Sequence, residues 1–421
     1  MTQTAGGTSE VRTPLDVRTA LVPASDAAAV GALVDLLPAE APLSWLRRGE
    51  GLVGWGVAAS VRTTGPTRFS DAAKWWSETT ALATVTDEVE EPGSGLVCFG
   101  AFTFSDEPGA SDSVLVVPSV VVGRRGDLLW VTTVGGAKPS LEPTDAPAAP
   151  ADLRFSDGAL SGPAWMAVVA DAVSRIEAGD LEKIVLARDL IAEASAPIDP
   201  RWPLRRLASA YPTCWTFHVD GLFGATPEML VRRERGLVTS RVLAGTIRRT
   251  GDDERDLALA AMLAHSSKDL EEHEYAVRSV AEALEPYCSS MNVPEAPFVL
   301  HLPNVLHLAT DVAGVARDGE SSLELAAALH PSAAVGGTPT PVARALISEI
   351  EGMDRGRYAA PVGWMDASGD GEWGIALRSG VIDGSTVRLF AGCGIVGGSD
   401  PEAELAESQA KFVPVRDALT S

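Results

Sequence analysis

Two pairs of acidic residues with helical spacing lie far apart in the sequence. Asp269 and Glu272 occur in the segment KDLEEHEY, and Glu404 and Glu407 repeat the same spacing in SDPEAELAESQAK. Side chains three residues apart share one face of a helix, so each pair can present two carboxylates together. Two such helices could hold a hard divalent cation such as Mg²⁺, which prefers oxygen ligands. Either pair alone is also typical of an ordinary acidic helix start, so the prediction of a metal site depends on support from further motifs.

A glycine-rich segment precedes the second acidic pair. In AGCGIVGGSDP, at 391–401, glycines allow the backbone to approach a ligand and to direct N–H groups at an anion. Arg378 lies upstream of this segment, and Lys411 lies four residues after Glu407. An arginine fork and a lysine beside such a loop predict a site for carboxylates. The pattern also fits a plain glycine-rich turn with two surface cations, since it matches neither the P-loop nor the dinucleotide-binding motif.

Longer motifs around these residues resemble the chorismate-utilising enzyme family. They follow one another in order over about residues 163–415, and several long motifs at compatible spacing are far more specific than one glycine motif. The matching segments are EKIVLARD around Lys183, GATPEML around Glu228, RVLAGTIRR at 241–249, KDLEEHE around Glu272, LHLAT at 306–310, LHPSAAVGGTP at 329–339, YAAPVGWMDASGDGEWGIALRSG, and AGCGIVGGSDPEAELAESQAK. Residues 20–135 resemble the family's N-terminal half only weakly.

The resemblance implies a fold and a cofactor. The fold is α+β, one large domain in which layered antiparallel β-sheet is flanked by helices. The cofactor is Mg²⁺, bound directly by the positions that match Glu272 and Glu407. Asp269 and Glu404 match positions that support the metal through water.

The resemblance also implies roles in the pocket. Lys183 is the candidate base that activates water for attack on C2 of chorismate, although a lysine at a strand start is otherwise a common surface cation. Glu228 is the candidate acid that protonates the departing C4 hydroxyl. The positions that match substrate-binding residues are Gly245, Thr246, His307, Tyr358, Arg378, Gly392, Gly394 and Lys411.

A few positions separate the branches of the family by the nucleophile they deliver. In members that use ammonia, a glutamine occupies the position that matches Lys183. Aminodeoxychorismate synthases have a nucleophilic lysine at the position that matches Ala244. The present combination resembles the water-using branch and predicts conversion of chorismate to isochorismate. Salicylate synthases share this branch but tend to have threonine at the position of Ala334, which favours a reaction that stops at isochorismate.

Other functions stay open on sequence alone. Within the family they are salicylate synthase, which also eliminates pyruvate, and an anthranilate synthase component with a glutaminase partner. Outside it they are an inactive Mg²⁺-dependent chorismate-binding protein and an unrelated acidic scaffold. Lys183 and Glu228 together argue against binding alone, because binding requires neither. The sequence does not distinguish product use in menaquinone, siderophore or salicylate synthesis.

The composition limits location and partners. The chain has 421 residues, with 34 Lys and Arg against 57 Asp and Glu, for a net charge of −23. This charge disfavours nucleic acid and anionic membranes as partners. The four cysteines form no CxxC pair, and the N-terminus lacks the apolar segment of a signal peptide. We expect a cytoplasmic monomer with chorismate and isochorismate as its small-molecule partners, no membrane segment and no obligate glutaminase subunit.

The pattern along the chain predicts a disordered segment at 1–15 and one enzyme domain at 16–421. A variable half at 16–136 and a catalytic half at 153–421 flank a loop rich in Pro and Ala at 137–152. Strand-like segments outnumber long helices without βαβ alternation. The expected elements include strands at 52–60, 96–104, 114–122 and 127–133, and helices at 69–80, 163–178 and 254–284. Pro414, three residues past Lys411, is expected to end or kink the last helix.

Overall fold

The structure, a computed structural model, describes residues 14–107, 111–301, 305–317 and 319–420. Its strands, in chain order, are β1 (Asp16–Leu21), β2 (Leu43–Arg47), β3 (Glu50–Trp55), β4 (Ala59–Thr63), β5 (Thr84–Asp87), β6 (Val97–Ala101), β7 (Ser113–Val117), β8 (Val120–Arg125), β9 (Leu128–Val134), β10 (Arg154–Asp157), β11 (Lys183–Glu193), β12 (Trp215–Val219), β13 (Leu222–Thr226), β14 (Met229–Glu234), β15 (Leu237–Arg248), β16 (Cys288–Asn292), β17 (Phe298–His301), β18 (Val305–Ala316), β19 (Gly337–Thr338), β20 (Pro361–Asp366), β21 (Gly371–Ile375), β22 (Ser379–Asp383) and β23 (Thr386–Ile395). Its helices are α1 (Ala24–Ala27), α2 (Arg68–Leu82), α3 (Gly162–Glu177), α4 (Arg201–Ala210), α5 (Asp253–His265), α6 (Ser267–Leu284), α7 (Ser322–Ala328), α8 (Thr340–Ile350) and α9 (Pro401–Leu419).

The described strands form two large sheets, as the predicted α+β fold requires. The first has thirteen strands in the order β10-β11-β23-β22-β13-β12-β2-β3-β8-β9-β1-β5, with β19 also pairing with β11. The second has ten strands in the order β16-β18-β15-β14-β21-β20-β6-β7-β4, with β17 also pairing with β18. Within the described sheets, β1 and β5 run parallel, and the neighbours around the functional residues are antiparallel.

Aromatic side chains from both sheets meet in a shared core. Trp45, Trp130 and Phe217 come from the first sheet, and Phe99 and Trp364 come from the second. All five are nearly inaccessible to solvent, so each removes a large apolar area from water. Helices cover the outer faces, with α3, α4 and α9 on the first sheet and α6 on the second.

The chain passes between the two sheets at two places that matter for function. It leaves the first sheet after β13 and enters the second at β14, and Glu228 lies in this crossover. It returns from β21 to β22, and Arg378 lies in that crossover. The two crossovers are joined by backbone hydrogen bonds, from Ile375 N–H to the Glu228 carbonyl at 3.1 Å and from Ala225 N–H to the Arg378 carbonyl at 3.2 Å. An acid and a cation are therefore fixed side by side.

Several predicted elements are divided in the structure. The strand expected at 52–60 is two strands, because Gly56 turns the chain with φ +71°. The strand expected at 114–122 is also two strands, with a turn at 118–119. The helix expected at 254–284 is two helices, because the Ser266 side chain caps a new helix by accepting from Asp269 N–H.

Pro414 was expected to end or kink α9, but it does not end the helix, which continues through it to Leu419. A proline inside a helix costs about 3 kcal/mol through its lost hydrogen bond and its ring clash. Phe412, Val415 and Leu419 are buried in the core on this side of the first sheet, which offsets that cost. The segment 137–152 is irregular, as expected, whereas residues 1–13 lie outside the described part of the chain.

Candidate active site

Lys183 begins β11 and extends towards the glycine-rich strand β23. Val185, two residues later, is paired with Gly394. A Cβ atom placed on Gly394 would lie 3.1 Å from Lys183 Cε and 3.7 Å from its Nζ. The absence of a side chain at Gly394 therefore leaves space around the lysine amine.

Glu228 has the properties of an acid that is protonated near neutral pH. Burial raises the pKa of its carboxyl group to about 7, while the positive charges of Arg378, Lys183 and Lys411 oppose that rise. Desolvation raises the pKa of Glu228 more than the three cations lower it, so the carboxyl group can donate a proton near neutral pH. The three cations, which come from separate motifs, therefore lie close enough to Glu228 to act on its charge.

Arg378 provides a positive charge that the described residues do not neutralise. None of them forms an ion pair or a hydrogen bond with its guanidinium group. Its backbone has φ +49°, an uncommon conformation for a residue with a side chain. A guanidinium group held this way can bind a carboxylate through two parallel hydrogen bonds.

Lys411 is held against the glycine-rich strand. Its Nζ donates to the Gly392 carbonyl at 2.9 Å and lies 2.6 Å from Glu407 Oε1. The helix α9 continues on both sides of Lys411. The lysine therefore links the glycine-rich strand β23 to one of the predicted metal ligands.

Tyr358 lies directly against Gly392. A Cβ atom on Gly392 would come 3.2 Å from the Tyr358 hydroxyl and 3.0 Å from the Leu186 carbonyl, so any larger residue would require its neighbours to shift. The tyrosine ring stacks on Phe390 with centroids 5.0 Å apart. Burial raises the pKa of Tyr358 well above its ordinary value, so its hydroxyl stays protonated.

His307 and Gly245 belong to neighbouring strands of the second sheet. The register of β15 and β18 shifts between Ala244 and Thr246, and Gly245 occupies this bulge with φ +76°. Burial, together with the charges of Arg378 and Lys411, lowers the pKa of His307 to about 4, so the ring is neutral at pH 7. The Thr246 backbone pairs with His307, but the Thr246 side chain lies outside the described part.

The two acidic pairs are on α6 and α9, as predicted. Asp269 lies in the first turn of α6, where the Ser266 hydroxyl donates to its carboxylate, and its Cβ approaches Gly245. Glu272 follows on the same helix, but its side chain lies outside the described residues. On α9, the Ser399 hydroxyl donates to Glu404 Oε1 at 2.8 Å.

The carboxylates on α9 fit a hard divalent cation. Ligand atoms of Cys393, Glu404 and Glu407 lie within 4.8 Å of one another. Burial, and then the charge of Glu407, raise the pKa of Glu404, and a bound cation would relieve this repulsion. Burial also raises the pKa of the Cys393 thiol to about 12, so at neutral pH the oxygens are the ionised donors. This donor set suits Mg²⁺.

Sequence reasoning missed side chains that support these groups. Ser399 holds Glu404, and the Thr226 hydroxyl accepts from Glu228 N–H at 3.2 Å. Strand β19 pairs Thr338 with Lys183 and fixes the start of β11. Serine and threonine near a carboxylate are too common to reveal such partners, although both lie inside the matching motifs.

Comparison with known proteins assigns the family. The family model described as chorismate binding enzyme matches residues 43–420 of the chain. The chain belongs to the chorismate-binding enzymes. The predicted family and fold are therefore confirmed. Separately, the described part of the chain contains no helix long and apolar enough to cross a membrane.

Relatives within the chorismate-binding enzymes cover most of the chain. Isochorismate synthase MenF of Bacillus subtilis is 34% identical over 400 residues, which are 87% of this chain and 85% of the relative. The salicylate biosynthesis isochorismate synthase of Pseudomonas aeruginosa is 34% identical over 409 residues, which are 90% and 85%. The solved structure of MenF, the menaquinone-specific isochorismate synthase from Escherichia coli, has a TM-score of 0.80 at 25% identity and covers 97% of this chain and 95% of that chain.

Proposed function

We propose that the protein converts chorismate to isochorismate by adding water at C2 and removing the hydroxyl group at C4. The observation that carries this proposal is the convergence of Lys183, Arg378 and Lys411 on the Glu228 carboxyl group. A base, an acid and two further cations are what a dianionic substrate and a water nucleophile require. The activities printed for the relatives from Bacillus, Pseudomonas and Escherichia support the same reaction.

Substrate binding is assigned to the cationic side of the site. Arg378 and Lys411 bind the carboxylates of chorismate, and the backbone at Gly392 and Gly394 permits their close approach. Neutral His307 lines the pocket without adding charge. These cations supply a local positive field within a chain whose net charge is −23, so the dianion is attracted to this region.

The reaction then needs one base and one acid. The Lys183 amine takes a proton from water as its oxygen attacks C2. The ring double bonds shift, the C4–O bond breaks, and the Glu228 carboxyl group gives its proton to the departing hydroxyl, which leaves as water. One water enters and one leaves, so atoms and charge balance once Lys183 returns its proton to Glu228 through solvent.

The proposed cofactor is Mg²⁺, held by Glu272 and Glu407 directly and by Asp269 and Glu404 through water. When bound, it supplies positive charge that orients and neutralises a substrate carboxylate. The position of Glu407 beside Glu404, where two carboxylates lie close together, supports this role.

Two small residues favour isochorismate over the products of other family branches. Ala244 faces the bulge on β15 and offers no amine nucleophile. Ala334 lines the same small cavity as Glu228 and has no hydroxyl group, unlike the threonine that salicylate synthases tend to have at this position. With water as nucleophile, the reaction requires no glutaminase subunit. The relatives' names indicate menaquinone and salicylate synthesis as the kinds of pathway that use the product.

Incubation of the purified protein with chorismate and Mg²⁺, followed by chromatography, tests the proposed function. We expect isochorismate without pyruvate. Salicylate together with an equal amount of pyruvate would instead assign the eliminating branch, and unchanged chorismate would contradict enzymatic activity.

Substitutions in the acidic pairs should separate direct from indirect metal ligands. Glu407→Gln and Glu272→Gln should weaken Mg²⁺ binding by at least about 100-fold, whereas Asp269→Asn and Glu404→Gln should cost about tenfold, because groups acting through water contribute less. Calorimetric titration of the four variants with Mg²⁺ measures the ranking. Equal losses at all four positions would contradict the assignment of inner and outer roles.

A further inference from the structure

Strand β11, which begins at Lys183, has an incomplete edge. On one side it pairs with β23 from Ile184 to Glu193. On the other side it pairs with β19 only at its first two residues and with β10 only from Leu190 onwards. The backbone groups of the intervening stretch, 185–189, therefore need partners other than a strand.

A buried ion pair supplies part of this missing edge. Ala187 N–H donates to Glu351 Oε1 at 2.7 Å, and Arg355 Nη2 donates to the Val185 carbonyl at 2.7 Å. Arg355 Nε also donates to Glu351 Oε2 at 2.8 Å. The side chains of Arg355 and Glu351 are 2% and 0% exposed. The pair thus occupies the position of a neighbouring strand and repeats its alternation of acceptor and donor.

The same arginine joins β11 to the loop that carries Ala334. Arg355 Nη1 donates to the Val335 carbonyl at 2.9 Å, and Val185 N–H donates to the Gly336 carbonyl at 2.9 Å. The guanidinium group also lies 4.2 Å above the Phe104 ring, which limits its movement. One rigid fork therefore sets the distance between the strand and the loop.

We propose that Glu351 and Arg355 are positioning residues that fix the catalytic strand β11 and the loop at 332–336 relative to each other for the reaction. The proposal rests on the proposed function, because Lys183 is its assumed base. Val185 and Ala187 also pair with Gly394 and Gly392, so the ion pair fixes the strand that backs the anion-binding segment. A displacement of about 1 Å in such a strand can cost about 100-fold in rate.

A merely structural role predicts a different result. A buried ion pair often adds no more stability than apolar residues of similar volume, so its presence here calls for a specific geometric role. Arg357 provides a matched control, since it is also buried and binds Asp220 at 2.9 Å and the Asp112 carbonyl at 2.6 Å, away from β11. Loss of either arginine side chain should destabilise the fold, but only the loss of Arg355 should change the position of Lys183.

The test compares Arg355→Lys with Arg357→Lys in the Mg²⁺-supplied enzyme. Lysine keeps the charge but cannot reproduce the planar fork. We expect Arg355→Lys to lower kcat about 10- to 100-fold with KM changed less than about threefold, because misplacement affects the reacting groups more than the carboxylate contacts. Arg357→Lys should keep kcat within about threefold of the wild type at a comparable loss of thermal stability.

Glu351→Gln is the second variant, because glutamine keeps the volume and one acceptor oxygen for Ala187 N–H. It should show the same fall in kcat with retained KM, even if Arg355→Lys folds poorly. Equal kcat losses in Arg355→Lys and Arg357→Lys, or a Glu351→Gln enzyme with the wild-type kcat, would overturn the positioning role. A wild type that forms no isochorismate would contradict the proposed function instead, so the two failures are distinguishable.

Discussion

Lys183→Ala is expected to lower kcat by about 10²–10⁴-fold, because removal of a general base typically has an effect of this size. Chorismate binding should persist, since Arg378 and Lys411 carry the contacts to its carboxylates. The position of the amine beside the open backbone of Gly394 motivates this prediction. Steady-state rates measure kcat, and calorimetric titration with chorismate in the presence of Mg²⁺ measures binding.

Lys74→Ala provides the control for this experiment. Lys74 is exposed on α2, away from the catalytic strands, and its removal changes the net charge by the same amount. We expect wild-type kinetics from it. A Lys183→Ala enzyme that retains more than about a tenth of kcat would show that another group acts as the base.

Glu228→Gln is expected to have the second largest effect, again about 10²–10⁴-fold in kcat, because glutamine cannot protonate the leaving hydroxyl. The pKa of Glu228 is raised to about 7, so the wild-type kcat should fall as pH rises through that value and the acid ionises. The variant should lack this descending limb. Retention of the limb in Glu228→Gln would assign it to a different group.

The same raised pKa makes a prediction about stability. A carboxyl group whose pKa is higher in the folded state contributes stability below its unfolded pKa, and that contribution is lost as pH rises through the folded value. The relevant range runs from the ordinary value of 4.5 to about 7. Glu228→Gln should therefore melt at an increasingly higher temperature than the wild type as pH increases across this range.

The fold class and a set of candidate site residues could be predicted from the sequence, whereas the pairing of the strands could not. Binding carboxylates and activating water requires particular residue types, so Lys183, Arg378 and the acidic pairs stand out in their motifs, and the expectation that they form one site came from the resemblance. The crossovers that carry Glu228 and Arg378 could not be predicted, because they depend on which distant strands pair. Local patterns say little about such long-range pairing.

Two other features show why local patterns mislead. Glu351 and Arg355 are four residues apart, a spacing typical of exposed helix pairs, yet both are buried against β11. Pro414 was expected to end or kink α9, but the helix continues through it, and burial of its neighbours offsets the local penalty. In both cases tertiary packing determines the outcome.

The proposed mechanism is tested most directly by identifying the nucleophile that attacks C2. Wild-type enzyme is incubated with a fixed amount of chorismate and Mg²⁺ in ¹⁸O-labelled water, with and without ammonium salts at high pH, and the products are identified by chromatography and mass spectrometry. Lys183 activates a nucleophile that must lose a proton, and Ala244 supplies no amine. We therefore expect isochorismate that carries solvent oxygen under both conditions. Substantial aminated product or anthranilate would contradict the proposed addition of water and place the protein in the ammonia-using branch.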